Sequence, residues 1–317
     1  MRQFLLKLSI FLSPLIIYFL IVLIIDPFNI FQNYSHNKNS IVKQICNRVN
    51  PHLFKLSQFK NKPSEIVFLG DSKVQQLPIN RYNISDQFSK INLSYGGGNI
   101  FETIETFNFV VNNSKPKAII IGVNFHNFNM SYSHNRVKKV TEILSNPLAY
   151  FMSRDVLLFF VEYLKKSFID GNHAESKSSI IINDNEKWNT ILQTIHSYYS
   201  YYDYPDSIID KMIKMEEFCK KNNIKLILFI PPDHIDLISK VKEYGLLAEY
   251  KKFTKFIYSF ETVYDFNHPN DISMNKINFS DPYHANEKIS EIIINELNNY
   301  ESKYKVHNII TKDYTVK

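Results

Sequence analysis

Five short apolar runs, separated by segments of helical period, constrain the fold of this chain more than any other feature. The runs are too short for helices and rich in β-branched or aromatic residues, and they occupy residues 65–69, 90–95, 117–123, 225–230 and 262–266. Between or after them, segments such as 208–222 and 286–300 repeat apolar residues at helical spacing. This alternation predicts an α/β fold, a doubly wound parallel sheet of about five strands with helices on both faces.

The first run ends in Gly70-Asp71-Ser72, at the edge of the sheet where parallel strands place their carboxyl ends. Far downstream, Asp281 and His284 supply a carboxylate and an imidazole. A serine hydroxyl attacks a carbonyl at neutral pH only if an imidazole takes its proton, and a carboxylate holds that imidazole in the right tautomer. The order Ser, Asp, His therefore indicates a nucleophilic serine. Taken alone, Gly-Asp-Ser also suits an ordinary turn, and Asp-Pro suits a helix lead-in.

Two further blocks strengthen this interpretation: Gly96-Gly97-Gly98 follows the second run, and Asn124 follows the third. With them the chain resembles the SGNH (GDSL-like) hydrolase superfamily, whose four blocks contribute Ser, Gly, Asn and an Asp-x-x-His pair in that order. The resemblance covers residues 64–297 and fits a flavodoxin-like sheet. It implies Ser72 as nucleophile, His284 as base and Asp281 as the residue that orients the base.

The resemblance also implies the oxyanion donors, namely the Asn124 side chain and one backbone amide among Gly96, Gly97 and Gly98, with Gly97 favoured. The sequence departs from the family at two positions. Lys73 follows the serine where leucine is common, and Phe125 follows the asparagine where many members carry Asp. This looser pattern looks more like a membrane-anchored branch associated with acylation of cell-surface polymers.

Two more residues are candidates for substrate binding. His234 follows a diproline at the end of the fourth run, where the similar branch often carries Pro-Pro-x-His. It is interpreted either as a ligand for acyl donor or acceptor groups or as a structural hydrogen-bonding residue. Lys73 is a candidate for steadying an anion, but a solvated lysine at a helix start is the preferred interpretation. Because no metal-ligand spacing, Walker loop or dinucleotide fingerprint occurs, neither a metal nor a cofactor is expected.

Residues 8–25 form an uncharged, mostly aliphatic run that is long enough to cross a bilayer. The residues that follow offer no small-x-small cleavage site, so the run is interpreted as a retained anchor, with a cleavable signal peptide as the alternative. Arg2 and Lys7 precede the run and predict a cytoplasmic N-terminus. The expected location is therefore the cell membrane, single-pass, with the catalytic domain outside the cytoplasm.

The expected organisation is a tail and anchor at 1–27, a polar linker with one short helix at 28–62, and the α/β domain at 63–317. Residues 127–204 interrupt the alternation and are interpreted as an insertion over the rim of the site. Its cluster of tyrosines is expected either to pack or to stack on sugar rings. A disulfide between Cys46 and Cys219 suits the outer compartment but does not follow from two cysteines, and Cys219 is expected to be a buried free thiol.

The net charge of +6 comes from 37 basic and 31 acidic residues scattered along the chain, without the basic stripe of a nucleic-acid surface. The expected activity is ester hydrolysis or O-acyl transfer, acetyl above all, on an extracytoplasmic polysaccharide. The same triad serves both reactions, so the sequence does not separate them. The resemblance further implies a multispanning membrane acyl-donor protein as partner. The alternative is a catalytically inactive SGNH-fold protein that binds glycan or scaffolds an envelope assembly.

Overall fold

The computed structural model describes residues 1–31, 40–82, 87–168 and 184–306. The strands are β1 (Ile66–Leu69), β2 (Lys90–Asn92), β3 (Ala118–Gly122), β4 (Lys225–Ile230), β5 (Val263–Asp265), β6 (Phe279–Asp281) and β7 (His284–Ala285). The helices are α1 (Arg2–Ile25), α2 (Ser40–Val49), α3 (Pro51–Asn61), α4 (Ser72–Gln75), α5 (Ile100–Asn113), α6 (Arg136–Ser145), α7 (Pro147–Phe151), α8 (Arg154–Phe168), α9 (Asp184–Gln193), α10 (His196–Tyr199), α11 (Asp206–Lys221), α12 (Ile235–Glu243), α13 (Leu247–Ile257) and α14 (Glu287–Asn298).

Strands β1 to β5 form one parallel sheet in the order β2-β1-β3-β4-β5. Ile66 of β1 pairs with Lys90 on one side and Ala118 on the other. This order is the flavodoxin-like doubly wound arrangement, so the predicted fold class is confirmed. Each of the five predicted runs contains a strand. The second run differs most, because pairing stops at Asn92 and the chain turns into the glycine-rich block.

Both faces of the sheet are covered by helices. Phe68, Ile120 and Phe229 point to the face where the apolar stripe of α14 packs. Their strand neighbours point to the other face and are equally buried, and there α5 and α11 contact each other and the sheet. Because both faces of the sheet are buried, the strand sequences are continuously apolar and do not alternate between apolar and polar residues. The carboxyl ends of all five strands meet at one edge.

The chain divides into two compact units, one of residues 1–63 with 136–178 and one of residues 64–135 with 179–317. The sheet lies in the second unit. Two expectations differ from this division. The stretch predicted as a linker with one short helix contains both α2 and α3, and the segment 127–204 is split between the units. Single-sequence periodicity does not reveal such a split, since it depends on contacts between distant segments.

The first unit is helical. α3 packs on α6, and α2 packs on both α3 and α8. Residues 7–25 of α1 have a mean hydropathy of 2.8 and are only 6% buried, which makes α1 the one helix in the described residues long and apolar enough to cross a membrane. Directly after α1, the buried Asp26 carboxylate accepts the amides of Ile30 and Phe31, and the Tyr150 hydroxyl also donates to it.

Cys46 in α2 and Cys219 in α11 are both free and buried. Cys219 has 1% of its surface exposed and continues the buried face of α11 with Met212 and Met215. The expectation of a buried free thiol at this position is therefore confirmed.

Candidate active site

The turn after β1 places Ser72 at the first position of the short helix α4. Gly70 has a φ of +148°, and a Cβ atom there would lie 2.5 Å from the Val74 side chain. A Cβ on Gly122, at the end of β3, would lie 2.3 Å from the same side chain. Both glycines are therefore needed for α4 to pack this closely on the strand ends, and that packing fixes the position of Ser72.

Ser72, His284 and Asp281 form an unbroken chain of hydrogen bonds. The Ser72 Oγ lies 2.8 Å from His284 Nε2, and His284 Nδ1 lies 2.8 Å from Asp281 Oδ2. Because a carboxylate only accepts, Nδ1 carries the proton, and Nε2 is left to accept the serine hydroxyl. About a fifth of each of the His284 and Asp281 side chains is exposed (23% and 20%), so solvent reaches this part of the site.

The hairpin of β6 and β7 sets the geometry of the acid and the base. Asp281 pairs across it with His284, and its Oδ1 accepts the backbone amides of Tyr283 and His284 at 2.9 and 3.0 Å. Burial alone would raise the pKa of the Asp281 carboxyl, but hydrogen bonds from the His284 ring and these amides outweigh burial and hold the pKa below its usual range. Asp281 is therefore an anion throughout the neutral range.

Asn124 follows β3 and is almost fully buried, with 3% of its surface exposed. Its Nδ2 donates to Asp71 Oδ2 at 2.7 Å, and its Oδ1 accepts from Lys73 Nζ at 2.9 Å. Asn127 donates to the same Asp71 oxygen at 2.7 Å, while the other Asp71 oxygen caps α4 by accepting the Lys73 amide. The Asn124 amide is thus held at both ends.

The structure corrects the interpretation of Lys73 as a solvated residue. Only 5% of its side chain is exposed, and its Nζ lies 2.5 Å from Asp233 Oδ1 and 2.9 Å from Asn124 Oδ1. Burial raises the pKa of the Asp233 carboxyl, and the Lys73 ammonium opposes that rise. The Lys73 ammonium is thus engaged by two buried side chains, and a role in substrate binding stays a prediction. Asp233 itself was not a sequence candidate, although it lies at a strand end beside a residue that was.

Among the three glycines, Gly98 donates its amide to the Tyr95 carbonyl at 2.9 Å, so it is a poor choice for an oxyanion donor. A Cβ on Gly98 would also lie 2.9 Å from that carbonyl oxygen. Gly97 adopts a φ of +61°, the left-handed conformation that glycine favours, and its carbonyl accepts the Tyr132 hydroxyl. Gly97 stays the predicted donor.

His234 makes a hydrogen bond at the start of a helix. It precedes α12, and its Nδ1 accepts the Asp236 amide at 3.2 Å. Its ring packs edge-on against Trp188 and Phe279, and burial lowers its pKa. The hydrogen-bonding interpretation therefore has direct geometric support, whereas a role in substrate binding stays a prediction.

Most tyrosines of the cluster at residues 198–204 are packed against other side chains and are not fully exposed to solvent. Phe125, the residue that departs from the family pattern, stacks on Tyr202 with 4.6 Å between ring centroids and also contacts Tyr199. Tyr201 is the member left open, with 78% of its surface exposed. His126 is buried between Tyr198 and Tyr283, and burial lowers its pKa well below the usual value, with the positive charge of Lys73 acting in the same direction.

No family model matches this sequence, and no curated protein matches it. Among solved structures, it is similar to a protein from Streptococcus pneumonia assigned as a platelet activating factor, with 10% identity and a TM-score of 0.41 over 83% of this chain and 99% of that one. A GDSL-like lipase from Bacteroides thetaiotaomicron has 11% identity and a TM-score of 0.36 over 77% and 93% of the two chains. A protein from Bacteroides fragilis assigned as an acylhydrolase has 13% identity and a TM-score of 0.34 over 73% and 82%.

At 10–13% identity these structures do not show what the chain does, and its activity is inferred from its own residues. One edge of its parallel sheet carries, in chain order, a serine turn, a glycine run and an asparagine, and the Asp-x-x-His pair of the separate β6-β7 hairpin reaches the serine there. This arrangement is the one that the sequence resemblance to the SGNH (GDSL-like) hydrolase superfamily implies.

Proposed function

We propose that this chain is a serine enzyme of the SGNH type that hydrolyses or transfers ester-linked acyl groups. The single observation that carries the proposal is the hydrogen-bonded chain from Ser72 Oγ through His284 to the Asp281 carboxylate. A serine used only for structure gains nothing from an imidazole whose free nitrogen faces it and whose other nitrogen is fixed by an anion.

In the first step His284 Nε2 takes the Ser72 proton while Oγ bonds to the ester carbonyl carbon, and the carbonyl electrons move onto oxygen. The tetrahedral intermediate then expels the alcohol, which receives the proton from His284, and leaves an acyl group on Ser72. In the second step His284 removes a proton from water or from an acceptor hydroxyl, whose oxygen attacks the acyl carbon. The bond between the acyl carbon and Ser72 Oγ then breaks, and His284 returns the proton to Oγ. Water makes the chain an esterase, and a sugar hydroxyl makes it an O-acyltransferase.

The oxyanion of each step needs fixed donors. The Asn124 amide nitrogen carries two hydrogens, and one of them bonds to Asp71. The other is the proposed side-chain donor, and the Gly97 amide is the proposed backbone donor. Because Lys73 holds Asn124 Oδ1, it prevents the amide from flipping and presenting its oxygen to the oxyanion. We therefore assign Lys73 and Asp233 as positioning residues for Asn124.

The proposed substrate is an acyl ester on a polysaccharide outside the cytoplasm, with an acetyl group as the first choice. The apolar helix α1 supports this, since a tether at the outer membrane surface favours polymers of the envelope over soluble metabolites. Tyr201 is an exposed aromatic surface that a sugar ring can stack on. A multispanning membrane protein as acyl donor belongs to the same proposal.

A fluorophosphonate probe tests the chemistry, because only an activated serine reacts with it. We expect the full-length chain to be labelled and to turn over a small activated acetyl ester, and Ser72→Ala to do neither. An unlabelled wild-type chain would favour the glycan-binding or scaffold alternative. Comparing the O-acetyl signals of envelope polysaccharides by NMR between wild-type and Ser72→Ala strains then tests the substrate.

A further inference from the structure

Helix α8 carries an exposed aliphatic stripe on one face. Leu157, Val161 and Leu164 are 50%, 47% and 53% exposed, and their spacing of four and three residues aligns them. Leu148 and Met152, just before α8, are 62% and 65% exposed. A patch of large apolar side chains this continuous marks a surface that meets something other than water.

This stripe is not the side of α8 that packs in its own unit. Val156 and Phe159 are fully buried on the opposite face, and α8 contacts α2. An amphipathic helix of a water-soluble unit has one apolar face and one polar face. By contrast, α8 has two apolar faces, one buried in its own unit and one exposed.

The start of this surface is attached to α1 within the apolar span. The Tyr18 hydroxyl donates to the Phe151 carbonyl at 2.8 Å, and Phe19 packs on the Phe151 ring with 5.0 Å between centroids. Tyr18 also contacts Phe160 of α8, with 6.4 Å between centroids. Tyr18 lies seven residues before Ile25, the end of α1, which is about 10 Å along the helix axis.

The bond from Tyr18 to Phe151 has a specific meaning at that depth. A backbone carbonyl at the end of a helix bonds to water on a protein surface, but in hydrocarbon it needs a partner from the protein. Tyr18 provides that partner from within the apolar span of α1. The carbonyl of Phe151, the last residue of α7, thus has the protein partner that a lipid environment requires.

The charges of α8 agree with this placement. Both acidic side chains are engaged inside the unit, since Asp155 accepts from Asn50 and Glu162 pairs with Arg48. The exposed Arg154 lies at the edge of the stripe, and the Lys165 side chain, which pairs with Glu162 at 3.3 Å, is 57% exposed on the same side. Basic side chains beside an apolar stripe suit the boundary between acyl chains and anionic headgroups.

We propose that α7 and α8 lie in the membrane interface beside α1, with the stripe immersed in the leaflet that contains the C-terminal half of α1. The surface binds lipid. The inference is independent of the serine chemistry and depends on α1 crossing the bilayer. It makes the first unit a membrane-embedded platform with a second attachment besides the single helix.

Spin labels on the full-length chain in vesicles of phosphatidylcholine and phosphatidylglycerol test this. Leu157→Cys, Val161→Cys and Leu164→Cys carry the label, with Leu20→Cys as the lipid-facing control in α1. Ile213→Cys, 40% exposed on α11 of the other unit, is the control for a surface apolar residue outside the first unit. Burial raises the pKa of both native thiols to about 12, so Cys46 and Cys219 react slowly, and labelling of the unsubstituted chain measures the background.

Collisions with oxygen, which concentrates in lipid, and with a water-soluble nickel chelate give the readout. We expect the three α8 labels to match Leu20, with oxygen collisions raised and nickel collisions lowered relative to Ile213. Nickel collisions equal to those at Ile213 would show that the stripe faces water and would overturn the proposal. Labels shielded from both reagents would show that protein covers the stripe, which would overturn it equally.

Discussion

The two halves of the candidate site are built in different ways. The base half, Asp281 and His284, comes from a single β-hairpin and is fixed by contacts between residues three apart. The proposed oxyanion half, Asn124 with its positioning residues Lys73 and Asp233, joins the ends of β1, β3 and β4, and its bond between Lys73 and Asp233 links residues 160 apart. The geometry of the hairpin does not depend on changes elsewhere in the sheet. The geometry of the oxyanion half depends on every strand that contributes a residue to it.

The largest effects are expected for the nucleophile Ser72 and the base half. Ser72→Ala or His284→Ala should reduce kcat on an acetyl ester by about a million-fold, because the two residues act as a unit. Asp281→Asn should cost about ten thousand-fold, since it leaves the ring in place but favours the wrong tautomer. Steady-state turnover, with Ser239→Ala as a surface control, measures both. A Ser72→Ala/His284→Ala double variant far slower than either single variant would show that the two do not form a unit.

Asn124→Ala should reduce kcat by about a hundred- to a thousand-fold, the effect of one lost oxyanion donor. KM should change little, because the oxyanion exists only in the transition state and the intermediates. The split between kcat and KM in steady-state kinetics checks this. A loss confined to KM would mean that Asn124 binds the substrate in its ground state, and the oxyanion half would need another donor.

Variants of Lys73 distinguish its contribution to the stability of the fold from its proposed role in positioning Asn124. Removing the ammonium in Lys73→Met leaves the Asp233 carboxylate buried without its partner, which should cost about 3–5 kcal/mol of unfolding free energy. Lys73→Met/Asp233→Asn should recover most of that loss, as measured by urea denaturation. If Lys73 positions Asn124, the double variant should still have a reduced kcat and an unchanged KM. Full activity in the stable double variant would limit the pair to a structural role.

His126 should make a smaller contribution to the pH dependence of the unfolding free energy. Its pKa is lowered in the folded chain, so between the ordinary histidine value near 6.5 and the folded value only the unfolded chain is protonated. Stability should therefore fall as the pH drops below about 6.5, by up to about 1.4 kcal/mol per pH unit from this residue. Denaturation of wild type and His126→Gln at pH 7.5, 6.5 and 5.5 gives the difference in slope. Equal slopes would mean that His126 gains a proton in the folded state.

The base half could be predicted from sequence because its information is local. A carboxylate and an imidazole three residues apart keep their relation whatever the rest of the chain does, and the strand that leads to Ser72 is a run of four fully buried apolar residues. The five strands could be predicted for the same reason. Their ends were less certain, as the early stop of β2 at Asn92 shows.

The oxyanion half could be predicted only in part. The sequence favours a solvated Lys73, because it predicts where helix α4 starts but not which residues contact that helix. Only the sheet order brings Asp233 from the end of β4 to Lys73 at the start of α4. The division of residues 127–204 between two units was missed for the same physical reason, since no local period encodes a contact with a distant helix.

The bond between Tyr18 and Phe151 also has a consequence for how the chain is made. Its partners are 133 residues apart, so at about 5–20 residues per second the ribosome needs on the order of ten seconds to deliver the second after the first. In that interval β1, β2 and β3 emerge, although they belong to the other unit. The first unit therefore stays incomplete, with the α1 surface around Tyr18 and Phe19 uncovered, until translation has passed α7 and α8.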